Sequence, residues 1–129
     1  MKKYIYCFIF WLILLDGYLN DQKTTIPDSN FEQALIDLGI DSDGVINSSV
    51  LTSDVASISS LDVSGREISQ LTGIEDFINL SELYCQNNLL TSLSLSSNTK
   101  LAILDCSEND LFSIKVRRDS RRKTLRHER

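Results

Sequence analysis

A phrase that recurs after twenty-one residues constrains the fold of this chain more than any other feature. Seven positions of residues 80–95 return with the same chemical type in residues 101–116. The recurring pairs are Leu80 and Leu101, Leu83 and Leu104, Cys85 and Cys106, Asn88 and Asn109, Leu90 and Leu111, Leu93 and Ile114, and Leu95 and Val116. A fixed period of this length indicates one supersecondary unit per repeat, with neighbouring units stacked into a continuous core.

The repeat begins earlier in a form that is one residue longer. Moving back by twenty-two residues pairs Leu80 with Ile58, Leu83 with Leu61, Cys85 with Val63, Leu90 with Ile68 and Leu93 with Leu71. The order L-x-x-L-x-[LC]-x-x-N at this period is the signature of a leucine-rich repeat, in which each repeat is one turn of a solenoid. We therefore expect residues 58–116 to form a short α/β solenoid, a right-handed superhelix with narrow parallel β-sheets.

The two later turns carry the corner motif twice. The sequence Leu93-Ser-Leu95-Ser-Ser-Asn98 repeats Leu83-Tyr-Cys85-Gln-Asn-Asn88 at a spacing of ten. Two such corners per turn predict two narrow parallel sheets. The first turn has the segment 71–78 in this place, which indicates a short helical or 3₁₀ return.

The asparagines and cysteines of the repeat are expected to be structural. At each corner a buried amide side chain, from Asn88, Asn98 or Asn109, can pair backbone groups that are left unsatisfied. Cys85 and Cys106 are repeat equivalents, and adjacent strands lie roughly 4.8 Å apart, which a disulfide would tolerate. Two side chains that point the same way favour buried thiols instead.

The N-terminal segment reads as an export signal. Lys2 and Lys3 precede an apolar run from Tyr4 to Leu15, which is too short to cross about 30 Å of hydrocarbon as a helix. We assign residues 1–21 to a signal peptide. Because the usual small-x-small cleavage pattern is absent, an uncleaved N-terminal anchor is the alternative.

Residues 22–57 are predicted to form a helical N-terminal cap. Ser29 and Glu32 have capping-box spacing, the apolar residues that follow have helical spacing, and Gly39 provides a C-terminal stop. A second short element is expected over residues 50–57, with Thr52 or Ser53 as its N-cap. Such a cap would cover the exposed first turn of the repeats.

The stretch Asp41-Ser-Asp43-Gly44 invites comparison with a calcium loop. If Gly44 were the loop glycine, the first and twelfth positions of an EF-hand would fall on Gly39 and Val50, and neither is a ligand. A tight turn is the better interpretation. We predict no metal and no cofactor.

The charge distribution argues against a nucleic-acid partner. From Lys115 onward eight basic residues accompany two acidic ones, whereas the preceding chain has five basic and sixteen acidic residues. A nucleic-acid-binding domain would carry its basic residues on a folded face. Residues 117–129 hold a single aliphatic residue and are predicted to be a disordered basic tail beyond the end of the repeat.

Function is expected on the outward face of the strands. The alternation around each L-x-[LC] turns Leu and Cys inward and leaves polar residues outside. The candidate partner-binding face consists of Asp62, Ser64, Glu82, Tyr84, Gln86, Asp105 and Ser107. Tyr84 is its aromatic anchor, and tyrosine is enriched at binding hot spots. The sequence thus predicts recognition of a protein or glycan; the alternative is a truncated structural repeat fragment with no independent activity.

An enzyme is not expected. Catalysis requires a convergent set of groups in a pocket, and a three-turn solenoid is expected to have no pocket. The single histidine, His127, lies in the basic tail. A row of carboxylates on a solvated face is a weak indication of chemistry. Contact with a membrane is expected only through an uncleaved N-terminal segment.

Several stretches resemble a known class of proteins. Residues 26–44, Leu61-Asp-Val-Ser-Gly65 and residues 83–99 resemble secreted leucine-rich-repeat proteins of Bacteroidetes-type bacteria. The cap and Leu71-Thr-Gly-Ile-Glu75 are similar to internalin-type surface proteins. Over residues 26–116 the resemblance implies a secreted or cell-surface binding scaffold without cofactor or catalytic residues.

Overall fold

A computed structural model describes residues 22–116 and the backbone of residues 124–126. The predicted signal peptide at residues 1–21 lies outside the described residues. In the described part of the chain the elements are β1 (Lys23–Thr25), α1 (Ser29–Asp37), β2 (Ser49–Leu51), α2 (Thr52–Ala56), β3 (Ser60–Asp62), a 3₁₀ turn (Ile74–Asp76), β4 (Glu82–Tyr84), β5 (Ser92–Leu95), β6 (Ile103–Asp105), β7 (Ser113–Val116) and β8 (Thr124–Arg126). None of the helices in this part is long and apolar enough to cross a membrane.

The repeat builds a four-stranded parallel sheet in the order β3-β4-β6-β8. Leu61 pairs with Leu83, and Leu83 pairs with Leu104, so the strands are offset by the same twenty-two and twenty-one residues as the sequence phrase. All three leucines are buried. The predicted register of the repeat is confirmed.

A second sheet contains β5 and β7, which pair in parallel with Leu93 beside Ile114. The first turn has the 3₁₀ turn in this place, as predicted. Gly73 precedes that turn with a φ of 105°, and a Cβ atom there would lie 2.6 Å from the carbonyl oxygen of Thr25. At Gly73 the backbone of the first turn therefore lies close to the cap. The first turn forms no strand at this place.

Helix α1 begins differently from the prediction. Its N-cap is Asp28, whose Oδ1 atom accepts hydrogen bonds from the backbone N–H groups of Asn30 and Phe31. The predicted capping box of Ser29 and Glu32 is wrong, because Asp28, one residue earlier, already accepts from the first amides. The helix ends as predicted before Gly39, which has a φ of +70°.

Glu32 has a long-range role instead. Its side chain is fully buried, and its carboxylate oxygens accept hydrogen bonds of 2.8–3.2 Å from the backbone N–H groups of Asn47, Ser48 and Ser49. These residues lead into β2, which pairs antiparallel with β1. A buried carboxylate thus organises the loop that connects the helix to a two-stranded sheet, and no local sequence pattern predicts this contact.

The second helix of the cap was only partly predicted. Helix α2 lies within the expected segment, but its N-cap is Leu51, which makes no side-chain capping bond. The predicted caps Thr52 and Ser53 are therefore wrong. Strand β2 ends at Leu51 and the helix begins at Thr52, so no separate capping residue lies between them. The hydroxyl of Thr52 is instead hydrogen-bonded to that of Thr24 at 2.9 Å.

The end of the chain also departs from the prediction. Strand β8 pairs in parallel with β6 and sets Leu125 beside Leu104, again twenty-one residues apart. The periodicity therefore continues beyond Val116, and the prediction of a uniformly disordered tail over residues 117–129 is wrong for Thr124–Arg126. The exposed backbone edge of β6 supplies the hydrogen bonds for this strand. The rest of that tail lies outside the described residues.

The corner asparagines are buried, as predicted. The side-chain amide of Asn88 donates to the carbonyls of Val63 and Cys85, and its Oδ1 atom accepts from the backbone N–H groups of Arg66 and Ile68. Asn109 and Asn98 donate in the same way, Asn109 to the carbonyl of Cys85 and Asn98 to that of Ile74. Each corner asparagine bonds to the turn before its own.

Cys85 and Cys106 are both buried in the core and are not joined by a disulfide. This confirms the interpretation as core thiols. Burial raises the pKa of both thiols, and for Cys85 the neighbouring Cys106 and Asp105 add to the rise. Neither cysteine therefore has the thiolate character of a reactive site.

Candidate binding face

The outward side chains of β3, β4 and β6 form one continuous surface, which we call the sheet face. It comprises Ser60, Asp62, Glu82, Tyr84, Ile103 and Asp105. In each strand the central leucine is buried and its two neighbours are exposed or half-buried. The inward leucines fix the sheet face, because side chains alternate sides along a strand.

Tyr84 lies at the centre of the sheet face. The strand register places it between Asp62 on β3 and Asp105 on β6, and parallel strands lie roughly 4.8 Å apart. Its hydroxyl donates a hydrogen bond of 3.4 Å to Oε2 of Glu82, and that same oxygen accepts one of 3.3 Å from the hydroxyl of Ser60. The ring is half-buried and held along its own strand.

The sheet face is electronegative around Tyr84. Burial raises the pKa of the Tyr84 phenol, and the charges of Glu82, Asp62 and Asp105 raise it further. All three carboxylates are therefore close enough to the phenol to disfavour a further negative charge. A ligand that contacts Tyr84 is therefore also exposed to the negative electrostatic potential of these carboxylates.

Two of the carboxylates are fixed by the same local turn. The backbone N–H and hydroxyl of Ser64 donate to Oδ1 of Asp62 at 3.0 and 2.7 Å. Ser107 makes the equivalent bonds to Asp105 at 3.1 and 2.6 Å. Ser107 is only 9% exposed, and its hydroxyl turns back onto the carboxylate. Ser64 remains half-buried.

Gln86 occupies the equivalent place in the middle turn, between Ser64 and Ser107. No aspartate precedes it at the strand position, which holds Tyr84. Its Oε1 atom is buried and accepts no hydrogen bond from any described residue. The amide oxygen of Gln86 is therefore a buried acceptor without a donor among the described residues.

No metal cluster is assembled in residues 22–116: no group of three or more His, Cys, Asp or Glu side chains there is arranged to hold an ion. The Asp41–Gly44 stretch forms the predicted tight turn. Oδ1 of Asp43 accepts from the backbone N–H of Val45 at 2.9 Å, and Gly44 has a φ of +66°.

The sequence reasoning missed a groove on the other side of the repeats. A cavity of about 350 Å³ lies between the first-turn return and β5, contrary to the expectation of no pocket. It is lined mainly by Gln70, Leu71, Thr72, Glu75, Ser92 and Ser94. The sequence carries one signal for this groove: residues 71–78 lack the second corner motif. The first turn therefore has no strand to pair with β5, and one edge of β5 is left uncovered.

The fold resembles solved structures of bacterial proteins. The functional domain of InlJ from Listeria monocytogenes, which includes a cysteine ladder, is 30% identical with a TM-score of 0.57; the match covers 70% of this chain and 20% of that one. A structure of the CBM51-2, in complex with GlcNAc, and INT domains of Clostridium perfringens ZmpB is 26% identical with a TM-score of 0.56, over 68% and 18% of the two chains. Internalin C2 of Listeria monocytogenes is 23% identical with a TM-score of 0.56, over 69% and 41%.

These likenesses define a class of fold. The chain has an internalin-like leucine-rich-repeat fold with parallel strands, and the comparison with InlJ and internalin C2 supports a repeat-type binding module. The match spans only about one-fifth to two-fifths of the length of these neighbours. No protein-family model and no curated protein matches the sequence.

Proposed function

We propose that this chain is an exported or cell-surface binding module, of the secreted leucine-rich-repeat type, that recognises a protein or glycan through the sheet face. In this proposal residues 58–116 form a right-handed solenoid, residues 22–57 cap it and residues 1–21 direct export. The module acts by binding and not by catalysis. Its partner is neither a nucleic acid nor a lipid surface.

The observation that carries the proposal is the position of Tyr84. It stands half-buried at the centre of the sheet face, with its hydroxyl directed at Glu82 by a long hydrogen bond and its ring flanked in register by Asp62 and Asp105. Tyrosine is among the residue types enriched at interface hot spots. The likeness to internalins is consistent with a surface binding module.

The test compares the wild type with a variant carrying Tyr84→Ala and Asp105→Ala. Both are screened against a glycan array and a panel of purified surface proteins, and each ligand found for the wild type is then titrated. We expect the variant to lose about 2 kcal/mol or more of binding free energy, about thirtyfold in affinity. Circular dichroism checks that both proteins are folded.

A matched control carries Thr72→Ala and Ser94→Ala in the groove beside β5. These side chains lie away from the sheet face and are exposed, so the control should bind as the wild type does. Unchanged affinity of the Tyr84 variant would contradict the proposal. Loss in the groove variant alone would place recognition on the opposite side.

A second proposal is a structural repeat fragment with no activity of its own. It is supported by the short span of the match to the solved neighbours. Chemical unfolding of the purified chain discriminates the two proposals. A single cooperative transition with matching fluorescence and circular dichroism signals favours an independent module, whereas a gradual transition with aggregation favours the fragment.

A further inference from the structure

We infer that the sheet face binds an arginine side chain of a protein partner, seated on the Tyr84 ring between Asp62 and Glu82. The inference rests on the proposed function and decides between its two ligand classes, protein and glycan. It depends on three properties of the sheet face: its charge, its balance of donors and acceptors, and its aromatic centre.

Asp62 and Glu82 have no neighbouring base among the described side chains. Arg66 forms an ion pair with Asp37, and Lys100 donates to Asn79. Lys23 and Lys115 lie on β1 and β7, outside this sheet. Strand β8 sets Arg126 in register with Asp105, so the inference uses Asp62 and Glu82 and does not depend on Asp105.

The sheet face also offers acceptors in excess. Oε2 of Glu82 is reached only by weak hydrogen bonds of 3.3 and 3.4 Å. Asp62 is exposed, and its hydrogen bonds from Ser64 both go to Oδ1. A ligand that complements this set must bring several N–H donors and a positive charge.

Arginine supplies this combination. Its guanidinium group presents five N–H donors in a planar fork and stacks on aromatic rings, and cation–π attraction favours its position over Tyr84. A neutral glycan would supply hydroxyl groups but no charge against two carboxylates. The acidic body of the chain, with sixteen acidic and five basic residues before Lys115, would also steer a basic partner toward it.

The test uses two synthetic peptides and the full chain. One peptide is acetyl-Gly-Arg-Gly-Arg-Gly-amide, and its control replaces each arginine by citrulline, which has nearly the same shape and no charge. Nuclear magnetic resonance titration follows the backbone amide signals of Glu82 and Tyr84. We expect the arginine peptide to bind about tenfold more tightly than the citrulline peptide, with an affinity that falls as salt is raised.

Three variants locate the interaction. Tyr84→Ala and Glu82→Gln should each weaken binding of the arginine peptide several-fold, whereas Glu67→Gln removes one charge from an exposed corner and should not. Equal affinity for the two peptides, absence of binding to either, or an equal effect of Glu67→Gln would overturn the inference. The proposed function would still stand if a neutral ligand were found whose binding is lost in Tyr84→Ala.

Discussion

The Oδ2 atom of Asp28 accepts a hydrogen bond of 2.8 Å from the backbone N–H of Ser69. The same oxygen also accepts from the N–H of Gln70, while Oδ1 of Asp28 caps the first turn of helix α1. A single carboxylate therefore begins the cap helix and attaches it to the first repeat. The cap and the repeats are expected to unfold together.

Replacing Asp28 tests this connection. We expect Asp28→Ala to lower the free energy of unfolding by about 2–3 kcal/mol, because it removes an N-cap and leaves two further amides without an acceptor. Urea unfolding measures the change. Ser29→Ala is the matched control and should lower the free energy of unfolding by less than about 0.5 kcal/mol. A larger loss in the control would indicate that Ser29 caps the helix, as the sequence predicted.

The ladder of corner asparagines gives a second prediction. Asn88→Ala should lower the free energy of unfolding by about 3 kcal/mol or more, because backbone groups of Val63, Arg66 and Ile68 lose their partner in a buried corner. Asn87→Ala, next in sequence but exposed, should cost about 1 kcal/mol at most, from its positive φ. Similar losses in the two variants would contradict the ladder.

Asp41 predicts a dependence on pH. Burial raises its pKa, and the charges of Asp43 and Glu32 contribute to the rise, although a hydrogen bond from the Asp43 backbone opposes it. A carboxyl whose pKa is raised by folding destabilises the protein where it is ionised and not where it is protonated. Asp41→Asn should therefore increase the free energy of unfolding at neutral pH.

The gain should shrink as the pH falls toward the unfolded value of about 3.9, because wild-type Asp41 then binds its proton. Thermal unfolding of both proteins between neutral and acid pH measures this difference. Asp43→Asn is the control. Folding lowers the pKa of Asp43, chiefly through the N–H of Val45, so this substitution should destabilise at neutral pH. A gain that grows on acidification would refute the assignment for Asp41.

The buried thiols give a prediction about reactivity. In a Cys7→Ser background, Cys85 and Cys106 should react with a thiol reagent at pH 8 far more slowly in the native protein than in urea, because burial raises the pKa of both and blocks access. Absorbance of the released chromophore measures both rates. Rapid labelling of the folded protein would show that the core around these two cysteines opens to solvent.

The repeat could be predicted because its determinants are local and periodic. Leu61, Leu83 and Leu104 lie at fixed intervals and point inward, so their spacing gives both the register and the identity of the outward residues. The second corner at Leu93 predicted the second sheet for the same reason. For the candidate site, the sequence placed Tyr84 outward but could not show that Ser107 folds back onto its neighbour.

The cap and the last strand could not be predicted in the same way. Glu32 binds amides fifteen to seventeen residues away, and no periodic pattern marks such a contact. Leu125 lies at the correct interval after Leu104. A single aliphatic residue among many charged ones does not, however, predict a strand. Backbone pairing along an open strand edge requires little from the side chains, and composition does not reveal it.

The corner asparagines also set an order of assembly during synthesis. Asn88 completes the corner of the turn that contains Val63, and Asn109 completes that of the turn that contains Cys85. Because the chain is made from its N-terminus, each turn leaves the ribosome before the residue that satisfies its corner. The backbone groups at the corner of each nascent repeat therefore stay unpaired until roughly one further period has been translated. The asparagine of the next repeat then pairs them.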